Sequence, residues 1–349
     1  MYIACVSAVT RFGSGAGARA SPAYGAGQNF GYIQHMATTS SPRGWTADQI
    51  PDLTGKIAIV TGANSGLGFV AANELAAHGA SVTLAVRSES RGAEAAEKIR
   101  AAHPGAVVEV APLNLRDLAS VAEFANSFAK KHKKLHILIN NAGIMGLPKR
   151  ETTVDGFEAQ FGTNHLGHFA LTGHLMPLLR KTPGARIVTV SSNLHKSGRM
   201  NFDDLNAERT YKSWGAYGQS KLANLLFTSE LQRRLEVAKV DAIAVAAHPG
   251  WSNTPLMMSG PMKDRGSFMK WLGQTVNNLN AQPVEMGALP ELYAATAPDV
   301  RGGEYFGPDG KANQKGYPVR QDRSAAAKNH ADAERLWTVS EQLTGVSYL

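Results

Sequence analysis

A chain of 349 residues has room for one large domain or two small ones, and 43% hydrophobic against 18% charged residues suits a folded globular protein. A single cysteine, Cys5, excludes an internal disulfide, and no apolar run reaches the roughly eighteen residues of a membrane span, so no transmembrane anchor is expected. The net charge of +8 invites a nucleic-acid partner, but no nucleic-acid motif or aromatic interleaving accompanies it, and none is expected.

The densest basic run, Lys130-Lys131-His132-Lys133-Lys134, closes an amphipathic helix, where cations favour the helix dipole. The charge reads as solvated surface that attracts an anion such as a nucleotide phosphate. The cysteine-free body fits a reducing compartment and a cytoplasmic location.

Residues 1–47 are rich in Ala, Gly, Ser and Thr, hold Arg11, Arg19 and Arg43 but no acid, and read as a disordered extension. Residues 1–9 are apolar without a preceding basic region, which weakens a signal-peptide reading. A transit peptide and a true translation start at Met36 remain the alternatives, with the second favoured. Residues 48–349 then form one domain.

From Lys56 the pattern changes. A short buried strand over 57–60 runs into Thr61-Gly62-Ala63-Asn64-Ser65-Gly66-Leu67-Gly68 and then into a helix through Val70 and Leu75. Strand, glycine-rich turn and helix make a phosphate-binding element, because small residues let backbone amides approach a pyrophosphate at a helix N-terminus. A second strand, 81–86, ends at Arg87, where a dinucleotide fold places an acid on the ribose hydroxyls. A guanidinium there suits a 2′-phosphate, so NADP is expected rather than NAD; the alternative is that Arg87 is a surface charge.

Helices through Ala96 and Ile99 and through Val121 and Phe128 alternate with strands over 107–111 and 135–139. The latter ends in Asn140-Asn141-Ala142-Gly143. This alternation predicts a doubly wound α/β fold, a parallel sheet with helices on both faces. Right-handed crossovers then gather the turn 62–68, Arg87, Asn114, Leu115 and Asn141 to Gly143 at one sheet edge, where open α/β sheets bind ligands. A helix over 156–179 carries Asn164, His165, His168 and His174. With no His-Glu-x-x-His pattern, the histidines read as core or surface residues, and no metal is expected.

A fifth strand, 186–190, delivers Ser191-Ser192 to the same edge; a sixth, 241–247, delivers His248-Pro249-Gly250. The Met-rich segment 254–284 reads as a lid over a lipophilic substrate or as plain structural helix. A helix near 284–295, a strand near 304–306 and a helix over 334–343 stopped by Gly345 complete the chain.

Between these strands lies a helix over 213–235 bearing Tyr217 and Lys221, four apart and so on one face. A free phenol titrates near ~10. Opposite charges ~4 Å apart interact by about 4 kcal/mol at an effective dielectric of ~20, so the ammonium is expected to lower the phenol by up to about three units. Tyr217 then becomes a usable general acid or base.

Together, Thr61-Gly62-x-x-x-Gly66-x-Gly68, Asn140-Asn141-Ala142-Gly143, Asn164, Ser192, Tyr217-x-x-x-Lys221 and Pro249-Gly250 resemble the short-chain dehydrogenase/reductase family from about Leu53 onward. Asn164 to Phe169, Ser220 to Asn224 and Gly303 to Phe306 look closest to its retinol-dehydrogenase-like branch, although the N-terminal anchor common there is not evident. The resemblance implies a Rossmann-type domain and hydride transfer to or from a carbonyl or alcohol of an apolar, retinoid-, steroid- or lipid-like substrate.

It also implies roles for single residues. Tyr217 would donate the proton, and Ser192 rather than the adjacent Ser191 would hold the substrate oxygen. Lys221 would lower the phenol and bind the nicotinamide ribose, and Asn164 would hold a water linking Lys221 to solvent. The glycine turn with Asn64, Ser65 and Leu67, then Asn141 to Gly143, and Pro249, Gly250 and Thr254 would seat the cofactor. Most members carry Asp where this chain has Asn114, whose amide oxygen can still accept from an adenine amine. Pairing of helices 156–179 and 213–235 in the family implies a homodimer or homotetramer, although one chain could equally bury them. The competing readings are a cofactor-binding regulatory protein without chemistry and a sugar-nucleotide epimerase or dehydratase.

Overall fold

The computed structural model describes residues 44–252 and 281–349. Thr254, most of the expected lid at 254–284 and residues 1–43 of the expected extension lie outside the described residues.

Among the described residues, eight strands form one sheet in the order β3-β2-β1-β4-β5-β6-β7-β8. β1 (Ile57–Thr61), β2 (Ser81–Val86), β3 (Val108–Pro112), β4 (Ile137–Asn140), β5 (Ala185–Val190), β6 (Ala242–Ala247) and β7 (Tyr305–Pro308) run parallel. β8 (Pro318–Arg320), which no sequence pattern announced, returns antiparallel to β7 at the edge. The strand order reverses between β1 and β4, and a crevice opens at such a switch point beyond the carboxyl ends.

Alternation along each strand builds two cores. Val60, Ile139, Val188 and Val245 face one layer, formed by α1 (Gly66–Ala77), α2 (Glu89–Ala102) and α6 (Val284–Thr296). Ile59, Leu138, Ile187 and Ala244 face the other. That layer holds α3 (Leu118–Lys131), α4 (residues 159–179), α5 (Ser213–Val237) and α7 (His330–Thr344). Side chains two apart share a face, so near-continuous apolar strands are what a sheet covered on both sides requires.

Local chemistry sets the helix ends. Asp117 caps α3 by accepting from the amides of Ala119 and Ser120. Asn329 caps α7, and Gly345, at φ +67°, ends it in the left-handed region. α4 joins Ala159–Phe161, a π turn at Gly162–Leu166 and Gly167–Leu179. Trp45 stands edge-on to Tyr293, ring centroids 5.2 Å apart, so residues just before 48 pack on the domain, although the sequence reading placed them in the extension.

Candidate active site

The carboxyl ends of β1, β2, β4, β5 and β6 border a cavity of about 600 Å³. Its wall includes Gly62, Asn64, Ser65, Gly66, Leu67, Gly68, Arg87, Asn114, Leu115, Asn141, Ala142, Gly143, Tyr217, Lys221 and Pro249. Asn164, Ser192 and Gly250 are not among the residues that line it. Sequence reading missed Arg116, Ile144, Leu147 and Thr163, which also line it. These residues belong to no motif and reach the cavity only through folding.

The turn after β1 has the shape a phosphate cradle needs. Gly62 and Gly66 adopt φ of +70° and +57°, which side chains resist. A Cβ at Gly68 would stand 2.8 Å from the carbonyl oxygen of Gly62, so only glycine lets α1 begin this close to the turn. Thr61 fixes the adjacent loop: its Oγ1 accepts from the amides of Asn141 and Ala142, both at 2.9 Å, while its carbonyl accepts from Asn141 Nδ2 at 2.8 Å. The crevice at the N-terminus of α1 fits a dinucleotide pyrophosphate.

Arg87 is exposed at the end of β2, with Ser88 and Arg91 beside it on the cavity wall. A smaller cavity of about 330 Å³ continues past Arg91 to Glu94 and Lys98. Asn114 Oδ1 accepts from the amide of Arg116 at 3.2 Å, which leaves a second lone pair for the adenine role expected of it.

Tyr217 and Lys221 are both buried, and Lys221 Nζ lies 5.8 Å from the centre of the phenol ring. Nζ donates to the carbonyl of Val190 at 3.0 Å. The two serines after β5 divide. Ser191 Oγ donates to the Lys221 carbonyl at 2.8 Å, and Ser192 is hydrogen-bonded to the Tyr217 side chain. Asn164, on the π turn, holds Ile144 from both sides: its Oδ1 accepts from the Ile144 amide and its Nδ2 donates to the Ile144 carbonyl. Nδ2 also donates to Ser220 Oγ at 2.9 Å. The side chain expected to hold a water therefore clamps the loop after Gly143.

One electrostatic expectation is corrected. Burial pushes the Tyr217 phenol up to about 12, and only the Ser192 hydrogen bond pulls the other way. The predicted lowering by Lys221 fails because desolvation of the phenol dominates while the ammonium is committed to Val190. Burial brings Lys221 down to about 8, opposed by the charge of Glu291. Glu291 itself is buried on α6 and pushed up to about 8, and sequence reading passed over it as one acid in an apolar helix.

Two of the three histidines of α4 have protein partners: His168 Nε2 lies 3.0 Å from Thr61 Oγ1, and His165 Nε2 lies 2.8 Å from Ser340 Oγ.

The short chain dehydrogenase family model matches residues 56–264. Retinol dehydrogenase 12 of Mus musculus is 42% identical over 302 residues, 86% of this chain and 89% of that protein. Retinol dehydrogenase 14 of Homo sapiens is 41% identical over 312 residues, 84% and 87% of the two chains. A solved structure of an uncharacterized protein from Mycobacterium paratuberculosis is 44% identical with a TM-score of 0.72, covering 88% of this chain and 99% of that one. A strand-turn-helix cradle, a tyrosine and lysine one helical turn apart at the sheet edge, and these relatives converge: the chain belongs to the short-chain dehydrogenase family, in its retinol-dehydrogenase-like branch, and is an oxidoreductase that acts on alcohols with a nicotinamide cofactor.

Proposed function

We propose that the enzyme uses NADP(H) to interconvert an apolar alcohol and its carbonyl, with Tyr217, Ser192, Lys221 and Asn164 as its working residues. The observation that carries this reading is the meeting of Tyr217 and Lys221 at the wall of the dinucleotide crevice, with Ser192 beside the phenol. Bound there, the nicotinamide supplies or accepts the hydride. With its phenol held up to about 12, Tyr217 is protonated at neutral pH and gives its proton to a substrate carbonyl oxygen. Ser192, on the same phenol, hydrogen-bonds that oxygen and fixes it. Lys221 takes the nicotinamide ribose, and Asn164 holds the loop from Gly143 to Ile144 against it.

The remaining cofactor contacts follow the wall. The α1 amides with Asn64, Ser65 and Leu67 hold the pyrophosphate, Asn114 and Leu115 the adenine, and Pro249, with Gly250 next to it, the nicotinamide end. Arg87 and Arg91 offer two guanidiniums to a 2′-phosphate, which supports NADP over NAD.

Large apolar side chains around the site support an apolar substrate. Leu194, Trp214 and Trp251 are 37%, 48% and 39% exposed, and each lies within three residues of Ser192, Tyr217 or Pro249-Gly250. The reading of a regulatory protein without chemistry has less support, since Tyr217, Ser192 and Lys221 are all intact in the sequence. A homodimer or homotetramer would need surfaces beyond the apolar stripe of α5, which α7 covers within the chain.

Y217F tests the reading. NADPH binding, followed by fluorescence, stays within about twofold, while turnover of an apolar aldehyde falls roughly 10²–10⁴-fold. Undiminished turnover would overturn it.

A further inference from the structure

Past Val190, where β5 ends, the chain enters a 3₁₀ turn at Asn193–Ser197, and Ser192 caps that turn. The Ser192 hydroxyl accepts from the Leu194 amide at 3.2 Å and is hydrogen-bonded to the Tyr217 side chain. The angle at which it meets the phenol is therefore set by whatever holds the turn.

Two contacts hold the flanks. Gly198, just past the turn, lies so close to α5 that a Cβ there would overlap the carbonyl oxygen of Gly218, the neighbour of Tyr217. Asn193 Nδ2 donates to the carbonyl of Asn313 at 2.9 Å. A third contact reaches Ser192 itself. His195 Nδ1 lies 2.7 Å from the Ser192 carbonyl oxygen, which already accepts from the His195 amide at 3.0 Å. The backbone bond closes the turn, and the imidazole adds a second bond at the residue that meets the phenol.

His195 is fully buried and stands edge-on to Tyr305 of β7, ring centroids 5.6 Å apart. Its other nitrogen, Nε2, accepts from the Ser324 amide at 3.4 Å. These partners dictate where the proton sits. A carbonyl only accepts and a backbone amide only donates, so Nδ1 carries the hydrogen and Nε2 the lone pair. Burial favours that neutral ring. His248, just after β6, packs on Tyr305 as well, centroids 5.3 Å apart, but as the opposite tautomer. Its Nδ1 accepts from the Gly250 amide at 3.2 Å, so its Nε2 donates to Gln321 Oε1 at 2.9 Å. The short segment from Gln321 to Ser324 thus anchors the turns after β5 and β6 through one histidine each.

We propose that His195 is a positioning residue of the active site: anchored at Nε2 by the Ser324 amide, its ring holds the Ser192 carbonyl through Nδ1 and so fixes the angle at which the Ser192 hydroxyl meets the Tyr217 phenol and the substrate oxygen. The inference rests on the role given above to Ser192. A hydroxyl that must reach two oxygens at once tolerates little displacement, and small misplacements of a working group are costly in turnover.

The test uses the full-length protein and has two parts. In ¹⁵N-histidine-labelled protein, with resonances identified by their loss in H195N and H248N, ring nitrogen shifts tell a protonated nitrogen from a bare one. His195 is expected to carry its hydrogen on Nδ1 and His248 on Nε2. A hydrogen on His195 Nε2 overturns the inference. The second part is kinetic, with NADPH and decanal as the apolar aldehyde. H195F lowers kcat about tenfold to a hundredfold and leaves KM for NADPH within about twofold. H195N, whose amide nitrogen is as far along the side chain as Nδ1, recovers kcat to within about threefold of wild type. H195Q, whose amide nitrogen matches Nε2, does not. In an S192A background, H195F costs less than about twofold more, because its effect passes through a hydroxyl already removed.

A merely structural histidine would cost the same factor with or without the Ser192 hydroxyl and would not distinguish asparagine from glutamine; either result overturns the inference. If H195F does not fold, H195Q takes its place in the cycle, and additive losses overturn the inference in the same way. S192A turning over as fast as wild type, with the His195 hydrogen on Nδ1, upholds the contact and overturns the role given to Ser192 instead.

Discussion

Tyr217 shows how far a single residue's chemistry depends on its surroundings. Spacing alone put Lys221 on its face of the helix, and that was correct: the ammonium lies 5.8 Å from the ring. The direction of the phenol's shift was not legible, because desolvation sums over residues far away in the chain. A phenol held high stays protonated at neutral pH, although a higher pKa also makes it a weaker acid. Arg87 is the residue whose role is tested most simply. With the guanidinium removed and a carboxylate in its place, R87D is expected to weaken NADPH binding by roughly 1.5–3 kcal/mol and to leave NADH within about twofold. Fluorescence titration with each nucleotide decides, and equal losses for both would remove the 2′-phosphate role.

At the scale of the element, the turn after β1 and the first three turns of α5 carry most of the site. The first was readable because its requirements are local: Gly62 and Gly66 supply positive φ, and Gly68 supplies room. The π turn in α4 was not readable. Its extra residue leaves no mark on the apolar pattern, yet Asn164 sits on it with both ends of its amide engaged. Ser191 and Ser192 are adjacent hydroxyls that a strand sends to different sides. The helix carbonyl that takes Ser191 comes from Lys221, thirty residues later in the chain. Trp214, in the first turn of α5, stands edge-on to Tyr217 at 6.2 Å and is half exposed. W214A is expected to raise KM for a bulky apolar aldehyde about tenfold or more, while kcat/KM for a short-chain aldehyde stays within about threefold. Steady-state kinetics on the two substrates check this, and parallel losses would place Trp214 in folding rather than in substrate selection.

Across the whole molecule, buried titratable groups set how stability varies with pH. His165, His168 and His248 are held down to about 3, 4 and 4 by burial, against an ordinary value of 6.5. Below 6.5 the unfolded chain takes up protons that the folded chain refuses, so their contribution is present above 6.5 and lost as pH falls toward 4. Glu291 acts oppositely: raised from 4.5 to about 8, it favours the fold below 4.5 and loses that contribution as pH rises to 8. Each such group is worth about 1.4 kcal/mol per pH unit within its window, so three histidines outweigh one glutamate. The melting temperature is expected to fall steeply from about pH 6.5 to pH 4, by several degrees per unit, as differential scanning fluorimetry would measure. A flat profile across that window would mean that these histidines are not buried neutral.

Local pattern was enough for every feature that depends on neighbours in the chain. Strand, turn and helix follow one another by period and by glycine, and right-handed crossovers bring the strand ends to one edge, so Gly62 to Gly68, Arg87, Asn141 to Gly143, Tyr217 and Lys221 share a crevice. The antiparallel return of β8, the clamp on Ile144 and the place of Glu291 were decided only by tertiary structure. Each depends on which residues, distant along the chain, exclude water from the same volume. The ring of His195, on the turn after β5, and the amide of Ser324 stand 129 residues apart, and nothing in the local pattern of either segment records that they meet.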